Sequence, residues 1–558
     1  MLITLLSWFI ILFMSVSIGS VLIHCIAPAS FAGTSKFDVY VTAGLLCLTV
    51  YAQTYSIFSN VGKTAFYFIF VVAVLCMVFQ LVYIVKKHKH QLSGTIQIWQ
   101  ICAVFVITMW TGLYTMKAPY FVDTYLYHAQ AIRWIEEYGV VPGLGNLHNR
   151  FAYNSACMPL HALFSFSWIF EQPLHAVNGF LGCFFAGYAL ITNKLFIKSE
   201  SRLSDMLKCA ILIYVFVSRI NISSPGSDMP AMLIVLYVMC KWSECNENRE
   251  NSRSLECGVL CLFAAWAVSI KLSAAACMIL ILYPAVMLIK EKRWKTIMID
   301  LVAGIIIVVP WLVRNVIISG YLLYPYSAID LFDFDWKMPV EVLDYDRKEI
   351  MVWGREVKDV SRFDESITQW FGTWFSGQIP RNKIFIIAGF LATLILIILI
   401  FIKLVDKFRN RNRIEFFLSN VSEWLVIITM IISEVFWLFS APLVRYGVVY
   451  LLMPAAVVVF IIKELMGEYR FRRLAAIGMV FMGSLLFLRN DDDFRLTEPH
   501  GYWKMDNVKN EWYGLEIYSP AGEGYATGYD DFPAVTGARV LEGIVPRGSG
   551  LEDGFKIR

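Results

Sequence analysis

The sequence predicts an all-α polytopic membrane protein with about 14 transmembrane helices, and three observations carry that prediction. Of its 558 residues, 58% are hydrophobic and only 16% are charged, whereas soluble domains are typically about 25% charged. The mean hydropathy is +0.60. Several apolar segments also reach the roughly 20 residues that a helix needs to cross a bilayer. Together these features exclude a soluble globular enzyme and a disordered chain.

Charge and cysteine usage narrow the class of protein further. The 48 Lys and Arg against 44 Asp and Glu give a formal net charge of +4, which provides no basic surface for nucleic acid. Most of the 12 cysteines lie in apolar runs, where a thiol packs as a small hydrophobic group. We therefore expect membrane lipids as partners, no nucleic acid and no disulfide framework.

The predicted spans follow one another along the whole chain, and the stretch 256–290 counts as two short helices that turn near Lys271. The stretch 155–170 is expected to lie in the interface or dip into it without crossing. The spans are 1–27, 39–58, 64–85, 97–116, 174–193, 207–222, 229–240, 256–290, 296–318, 384–402, 421–440, 446–462 and 474–489.

Short loops rich in Lys and Arg normally stay in the cytoplasm, and this rule orients the chain. The basic loops are 86–89, 194–202, 290–293, 403–413 and 470–473. If these loops lie in the cytoplasm, most of the hydrophilic sequence lies on the opposite, outer side of the membrane. The chain then divides into N-terminal helices (1–116), an outer loop with interfacial helices (117–173), central helices (174–318), a second outer loop (319–382), C-terminal helices (383–489) and a small extracytoplasmic tail (490–558).

The first outer loop begins with a predicted helix that lies on the membrane surface, because apolar residues recur every three or four positions. Asp123 starts this helix and shares a face with Tyr127. Asp123 is either a helix N-cap or a base that acts on a membrane-anchored substrate. His128 would point roughly 140° away from it at 3.6 residues per turn, which argues against an Asp–His pair. The apolar positions are Tyr125, Ala129, Ile132 and Ile135.

A polar loop of the kind that holds a sugar or phosphate follows this helix. Gly143 and Gly145 permit tight turns, and the side chains of four residues supply hydrogen-bond donors. The alternative is a turn that packs on the outer surface. The four donor residues are Asn146, His148, Arg150 and Asn154.

Two charged residues stand at helix ends or within apolar sequence. Asp228 begins a predicted helix, where it is either an N-cap or part of a site. Lys271 lies in apolar sequence, where a charge is costly and marks a functional site unless it snorkels to an interface. Glu434, in the middle of the 421–440 span, is one candidate partner for it.

Two arginines lie at the predicted outer ends of spans. Arg314 precedes Asn315 at the close of one span, and Arg445 lies in the tight turn between two later spans. A guanidinium binds phosphate with a rigid fork of donors. The pair could therefore clamp a lipid phosphate, while pairing with headgroups or loop carboxylates would explain each arginine singly.

This layout resembles the GT-C superfamily of membrane glycosyltransferases, which use sugars linked to polyprenyl phosphate. The resemblance rests on an acidic residue that opens a surface helix, on later outer arginines and on a hydrophilic C-terminal region. Four runs also look like those of an uncharacterised bacterial family of polytopic membrane proteins associated with surface polysaccharide assembly. These runs are Gly143–His148, Ile270–Ala274, Pro310–Asn315 and Ser319–Pro325.

The resemblance implies a GT-C-like fold in the bacterial cytoplasmic membrane and a role for each candidate residue. Asp123 would be the catalytic base, and the donor phosphate would be held by Arg314, Arg445 or Lys271. The acceptor would be a cell-surface glycan or a lipid-linked molecule. The other implied substrate-binding residues are Tyr127, His128, Asn146, His148, Arg150, Asn154, Asp228 and Asn315.

Other functions remain open from the sequence. A polysaccharide polymerase or ligase would also need outer arginines and a large outer loop. A lipid-linked oligosaccharide flippase or other transporter should place its charges near the midplane and show inverted repeats, and the chain has no evident repeat. No cofactor is assigned, and a divalent metal is left open without a cluster of acidic residues to predict it.

Overall fold

The protein is described by a computed structural model that covers residues 1–26, 36–87, 97–195, 201–247, 253–408, 420–475 and 501–558. Within these ranges the chain is mostly helical, and strands occur in the C-terminal segment, residues 501–558. The helices are α1 (Leu2–Ile26), α2 (Phe37–Phe58), α3 (Lys63–Lys87), α4 (Ile98–Thr115), α5 (Ala129–Glu137), α6 (Leu144–Leu147), α7 (Cys157–Leu163), α8 (Val177–Thr192), α9 (Leu203–Val217), α10 (Asp228–Glu247), α11 (Arg253–Ile270), α12 (Leu282–Lys290), α13 (Trp294–Ser319), α14 (Val340–Gly354), α15 (Ile367–Gly377), α16 (Pro380–Phe408), α17 (Val421–Ser440) and α18 (Val444–Met466).

Ten helical stretches in the described part of the chain are long and apolar enough to cross a membrane, which makes this a multi-pass membrane protein. They are α1, α2, α3, α4, α11, the stretch Leu272–Lys290, α13, α16, α17 and α18. Three further predicted spans correspond to α8, α9 and α10, which are helices but not among these ten. The predicted span 474–489 lies almost entirely outside the described residues. The count of 14 therefore stays a prediction.

Helix α10 occupies the centre of the bundle and is buried along nearly its whole length. It contacts α8, α9, α11, α17 and α18, so its surroundings are protein on most sides. This explains why its charged residues are tolerated: Lys241 pairs with Asp38 of α2 at 2.9 Å and with Glu244 at 2.9 Å. Buried charges persist when they are paired in this way.

The prediction of a break near Lys271 is confirmed, and the described structure also bears on the stretch 155–170. The stretch 256–290 breaks at Lys271, which has an extended backbone (φ −152°) between α11 and a 3₁₀-helix over Leu272–Ile281. The stretch 155–170 contains helix α7 of seven residues, which reaches only about 10 Å at 1.5 Å per residue and is too short to cross a bilayer by itself. Its location in the interface stays a prediction. Both segments bring polar residues to one end of the bundle.

The helix that follows Asp123 does not lie on a membrane surface, contrary to the prediction. It consists of a π-helical turn over Thr124–His128 and α5, and we call it the Asp123 helix. Residues on both of its faces are buried, including Ile132 and Trp134. One side packs on α7, and the C-terminal segment covers the other, which the periodicity of the helix could not reveal.

The C-terminal segment is folded and forms two small antiparallel sheets. Strand β1 (Asn507–Trp512) pairs with β2 (Leu515–Pro520), and β3 (Ile544–Pro546) pairs with β4 (Phe555–Ile557). Phe555 of β4 packs against Trp134 of the Asp123 helix, with the ring centroids 5.8 Å apart. The segment therefore shares a hydrophobic core with the first outer loop.

Hydrogen bonds from side chains of the Asp123 helix to backbone carbonyls attach the same segment to this helix. Gln130 donates from Nε2 to the carbonyl oxygens of Gly528 (3.0 Å) and Asp531 (2.8 Å). Arg133 donates from Nη1 to the carbonyl oxygen of Tyr529 at 2.7 Å. These contacts join residues about four hundred positions apart, and they fix the helix that begins at Asp123.

Candidate active site

A cavity of about 410 Å³ lies where the loops between several helices meet, a volume within the usual range for small-molecule sites. Segments that are far apart in the sequence line it together: the start of the first outer loop, residues just before and at the start of α10, the second outer loop and the turn before α18. Its lining includes the predicted site residues Asp123, Tyr127, His128, Arg150, Asp228, Lys271, Asn315 and Arg445.

Two carboxylates and two cations from four separate elements meet in this cavity, and we call them the four-charge cluster. Arg445 Nη2 lies 2.5 Å from Asp123 Oδ2, and Arg445 Nε lies 3.6 Å from Asp228 Oδ2. Lys271 Nζ donates a hydrogen bond to Asp228 Oδ1. The charges therefore alternate along the order Asp123, Arg445, Asp228, Lys271.

Each member of the cluster lies at the start of a helix or at a break between helices. Asp123 precedes the π-helical turn, and Asp228 is the first residue of α10. Lys271 occupies the extended break after α11, and Arg445 lies in the first turn of α18. Asp123 makes no side-chain capping hydrogen bond, so its carboxylate contacts Arg445 instead of the helix backbone.

Aromatic rings hold the two cations in position. The Arg445 guanidinium carbon lies 5.2 Å from the ring centroid of Phe121 and 5.0 Å from that of Tyr446. Lys271 Nζ lies 3.4 Å from the centroid of Tyr446. Cations attract aromatic faces at these distances, so Tyr446 orders both of them.

The ionisation of Asp123 is set by two opposing effects. Burial raises the pKa of this carboxyl, but the nearby Arg445 guanidinium and its hydrogen bond outweigh that effect and leave the pKa below its usual value. Asp123 is therefore a carboxylate at neutral pH. While it is paired with Arg445 it is a weaker base than a free carboxylate.

His128 lines the same cavity as Asp123, so the expectation that it points away is wrong. That expectation assumed 3.6 residues per turn, whereas Thr124–His128 forms a π-helical turn with i→i+5 hydrogen bonds. Residues five apart then lie nearly on one face. Burial lowers the pKa of His128 to about 4, and within the described residues its Nδ1 has no hydrogen-bond partner.

Of the four predicted donors in the polar loop, only Arg150 reaches the cavity. Asn146 donates to the carbonyl oxygens of Trp336 (2.8 Å) and Phe555 (3.2 Å), so it joins the loop to the C-terminal segment. The ring of His148 contacts Asn149 and does not line the cavity. Burial lowers its pKa to about 4.

Asn154 and Arg314 lie behind the cavity wall rather than in the cavity. Arg314 donates from Nε to Asn154 Oδ1 at 2.9 Å and from Nη1 to Ser56 Oγ. Both line a small adjoining pocket of about 40 Å³. Asn315 lines the main cavity and donates to the carbonyl oxygen of Leu322 at 2.9 Å. Arg445 and Lys271 therefore line the main cavity, whereas Arg314 does not and instead supports Asn154.

The predicted pairing of Lys271 with Glu434 is wrong. Lys271 pairs with Asp228, and Glu434 accepts a hydrogen bond from Thr393 of α16. Glu434 lies in α17 and Thr393 in α16, so this hydrogen bond connects the two helices within the bundle.

Helix α14 supplies a second group of site residues that sequence reasoning missed. Arg150 Nη2 lies 2.6 Å from Glu349 Oε2. Asp346 accepts hydrogen bonds from the hydroxyls of Tyr153 and Tyr324, the latter at 2.9 Å. Arg347, Tyr153, Tyr324 and Tyr446 also line the cavity. No motif marks these residues, because the sequence of α14 has the many charges of an ordinary surface helix.

The described residues contain no group of three or more His, Cys, Asp or Glu side chains placed to hold a metal ion. The two carboxylates of the four-charge cluster are each occupied by a cation of the chain. The cavity lining contains four cationic side chains as candidate partners for an anion, those of Arg150, Lys271, Arg347 and Arg445.

Comparison with known protein families places this architecture in one of them. A family profile described as a domain of unknown function, DUF8201, matches residues 1–452. The chain belongs to this family. The DUF8201 match includes every residue that lines the cavity, whereas the C-terminal segment lies beyond it. No curated protein and no solved structure matches the chain.

Proposed function

We propose that this protein is an integral-membrane glycosyltransferase of the GT-C type, with about 14 transmembrane helices, in the bacterial cytoplasmic membrane. It transfers a sugar from a polyprenyl-phosphate-linked donor to a cell-surface glycan or a lipid-linked acceptor on the outer face. The observation that carries the proposal is the four-charge cluster, which sets a carboxylate base beside two phosphate-binding cations in one cavity.

The proposed reaction uses each member of the cluster. Asp123 accepts the proton of the acceptor hydroxyl while that oxygen attacks the anomeric carbon of the donor. The bond between the anomeric carbon and the phosphate oxygen breaks, and the phosphate leaves with the electron pair. Arg445 and Lys271 stabilise the charge that develops on it. Attack opposite the leaving group inverts the anomeric carbon.

The remaining cavity wall suits the lipid part of such a donor. Phe436 and Phe439 of α17 line the cavity and are also partly exposed on the surface of that span. A wall that is apolar and reaches the surface of a membrane-spanning helix gives a prenyl chain a route from the bilayer to the cations. This arrangement supports a lipid-linked donor over a soluble nucleotide sugar.

The test compares surface glycans from cells that carry the wild type, Asp123→Asn or Asp330→Asn. Asp330 is a matched control, since its carboxylate also pairs with a cation, Lys337, at 2.6 Å but does not line the cavity. Loss of a general base should slow transfer by about 10²- to 10⁴-fold. We expect a glycan that lacks one sugar by mass spectrometry in Asp123→Asn alone, at unchanged protein level.

Two other results would contradict the proposal. Accumulation of single, complete repeat units in Asp123→Asn would indicate a polymerase instead of a glycosyltransferase. Wild-type glycans from Asp123→Asn would show that this carboxylate has no catalytic role.

A further inference from the structure

The two cations that would bind a donor phosphate each already contact a carboxylate of the chain. Arg445 contacts Asp123 and approaches Asp228, while Lys271 contacts Asp228. The four charges of the cluster sum to zero. An anion that approaches Arg445 or Lys271 therefore meets a cation whose field is offset by a neighbouring carboxylate, and it must compete with that carboxylate for the same N–H groups. Arg150 and Arg347 also line the cavity but lie outside this cluster.

The geometry of Arg445 makes this competition direct. Its Nη2 is shared between Asp123 (2.5 Å) and the hydroxyl of Tyr446 (3.0 Å). Its Nε is buried without a hydrogen-bond partner among the described residues. A phosphate that took the usual two-point contact with this guanidinium would use Nε and one terminal nitrogen. It would occupy the position that the Asp123 carboxylate now holds.

We infer that phosphate binds by exchange, displacing the carboxylates of Asp123 and Asp228 from Arg445 and Lys271. This inference rests on the proposed function and adds an order of events to it. Asp123 is released from its guanidinium only when the donor phosphate arrives, so the base becomes available after the donor is in place. Asp228 is then a positioning residue that holds both cations ready.

The exchange has a consequence that simple phosphate binding would not have. If carboxylates compete with the phosphate, replacing either one by its neutral amide removes a competitor and strengthens phosphate binding. If the carboxylates merely shape the site, the same replacements leave binding unchanged or weaken it. The sign of the affinity change therefore separates exchange from a purely structural role. Glu349→Gln, which removes a carboxylate paired with Arg150 of the same cavity, measures the part of the change that comes from lost negative charge alone, and exchange requires a larger gain in the Asp123 and Asp228 variants.

The experiment measures binding of farnesyl phosphate to the purified full-length protein in detergent by calorimetry. Asp228→Asn and Asp123→Asn should each bind it about three- to tenfold more tightly than the wild type, as expected for removal of a competing ion pair. Arg445→Gln should lose binding, and the control Asp330→Asn should match the wild type. Farnesol tests the contribution of the prenyl chain, and inorganic phosphate separates a lipid headgroup from a free phosphate.

Unchanged or weaker farnesyl phosphate binding in both amide variants would overturn the exchange. Two variants are used because Asp228 begins α10 and its replacement could impair folding, whereas Asp123 makes no capping hydrogen bond. The outcome is independent of the glycosyltransferase assay. Tighter binding without any sugar transfer would keep the exchange and reject the proposed reaction, and transfer without tighter binding would do the opposite.

Discussion

Arg445 joins distant parts of the chain through one side chain. Its guanidinium contacts Asp123 from the first outer loop and lies near Asp228 at the start of α10. The sequence identifies Arg445, Asp123, Asp228 and Lys271 one by one, because each is a charge at the end of a predicted helix or within apolar sequence. It could not select their pairing, since ion pairs between residues hundreds of positions apart leave no local pattern.

His128 gives a pH-dependent prediction at the same scale. Its pKa is about 4 in the folded protein, chiefly because of burial, against 6.5 for an unperturbed histidine. The unfolded chain therefore binds the proton first as pH falls, and the stability contributed by neutral His128 is present above pH 6.5 and lost towards pH 4. Between pH 6.5 and 5 this loss is about 2 kcal/mol.

We expect the His128→Gln variant to be less sensitive to acid than the wild type. Its melting temperature in detergent should fall less between pH 7.5 and 5, because glutamine has no proton to gain. His148→Gln is a parallel variant with the same expected direction, since burial also lowers the pKa of His148 to about 4. Equal losses of melting temperature in the wild type and His128→Gln would refute the buried, neutral state of this ring.

Single elements differ in how far the sequence determines them. The break at Lys271 was predictable, because a lysine within an apolar run resists burial in continuous helix. The π-helical turn over Thr124–His128 was not, because any helix prediction assumes 3.6 residues per turn. Because the π-helical turn holds more residues than an α-helical turn, it brings His128 to the side of the helix that lines the cavity. The sheets of the C-terminal segment were also missed, since they are short and pack on a distant helix.

A substitution at Gly143 would test the contact between the polar loop and the C-terminal segment. It has a left-handed backbone (φ +65°), and a Cβ here would lie 2.0 Å from the carbonyl oxygen of Phe555. Alanine at this position would be strained by roughly 1–2 kcal/mol from the backbone alone, and the clash adds to this. We expect Gly143→Ala to lower the melting temperature and to expose the C-terminal segment to limited proteolysis.

The matched control is Gly522→Ala in the C-terminal segment itself, where a Cβ would meet nothing within 4 Å. This variant should stay within about 0.5 kcal/mol of the wild type. If Gly143→Ala resists protease as well as Gly522→Ala does, the segment is not held through this contact.

At the scale of the whole molecule, the C-terminal segment supports the helix that carries Asp123 beside the cavity. The Asp123 helix packs on α7 on one side and on the C-terminal segment on the other. Composition and hydropathy predicted the membrane-spanning character, because they sum over many residues. They could not predict that a hydrophilic segment would cover the helix beside the cavity, since its contacts combine isolated apolar side chains with hydrogen bonds to backbone carbonyls, and neither forms a local pattern.

Membrane orientation is the last prediction, and it decides which side of the bilayer the cavity faces. Helix α13 has 26 residues and is about 39 Å long at 1.5 Å per residue, so its two ends lie on opposite sides of a bilayer.

The basic loop that contains Lys292 precedes α13, and the second outer loop that contains Asp364 follows it. Because basic loops stay in the cytoplasm, alkaline phosphatase inserted after Asp364 should be active and after Lys292 inactive. Green fluorescent protein at the same positions should give the reverse. The opposite pattern would place the four-charge cluster on the cytoplasmic side and would exclude transfer on the outer face.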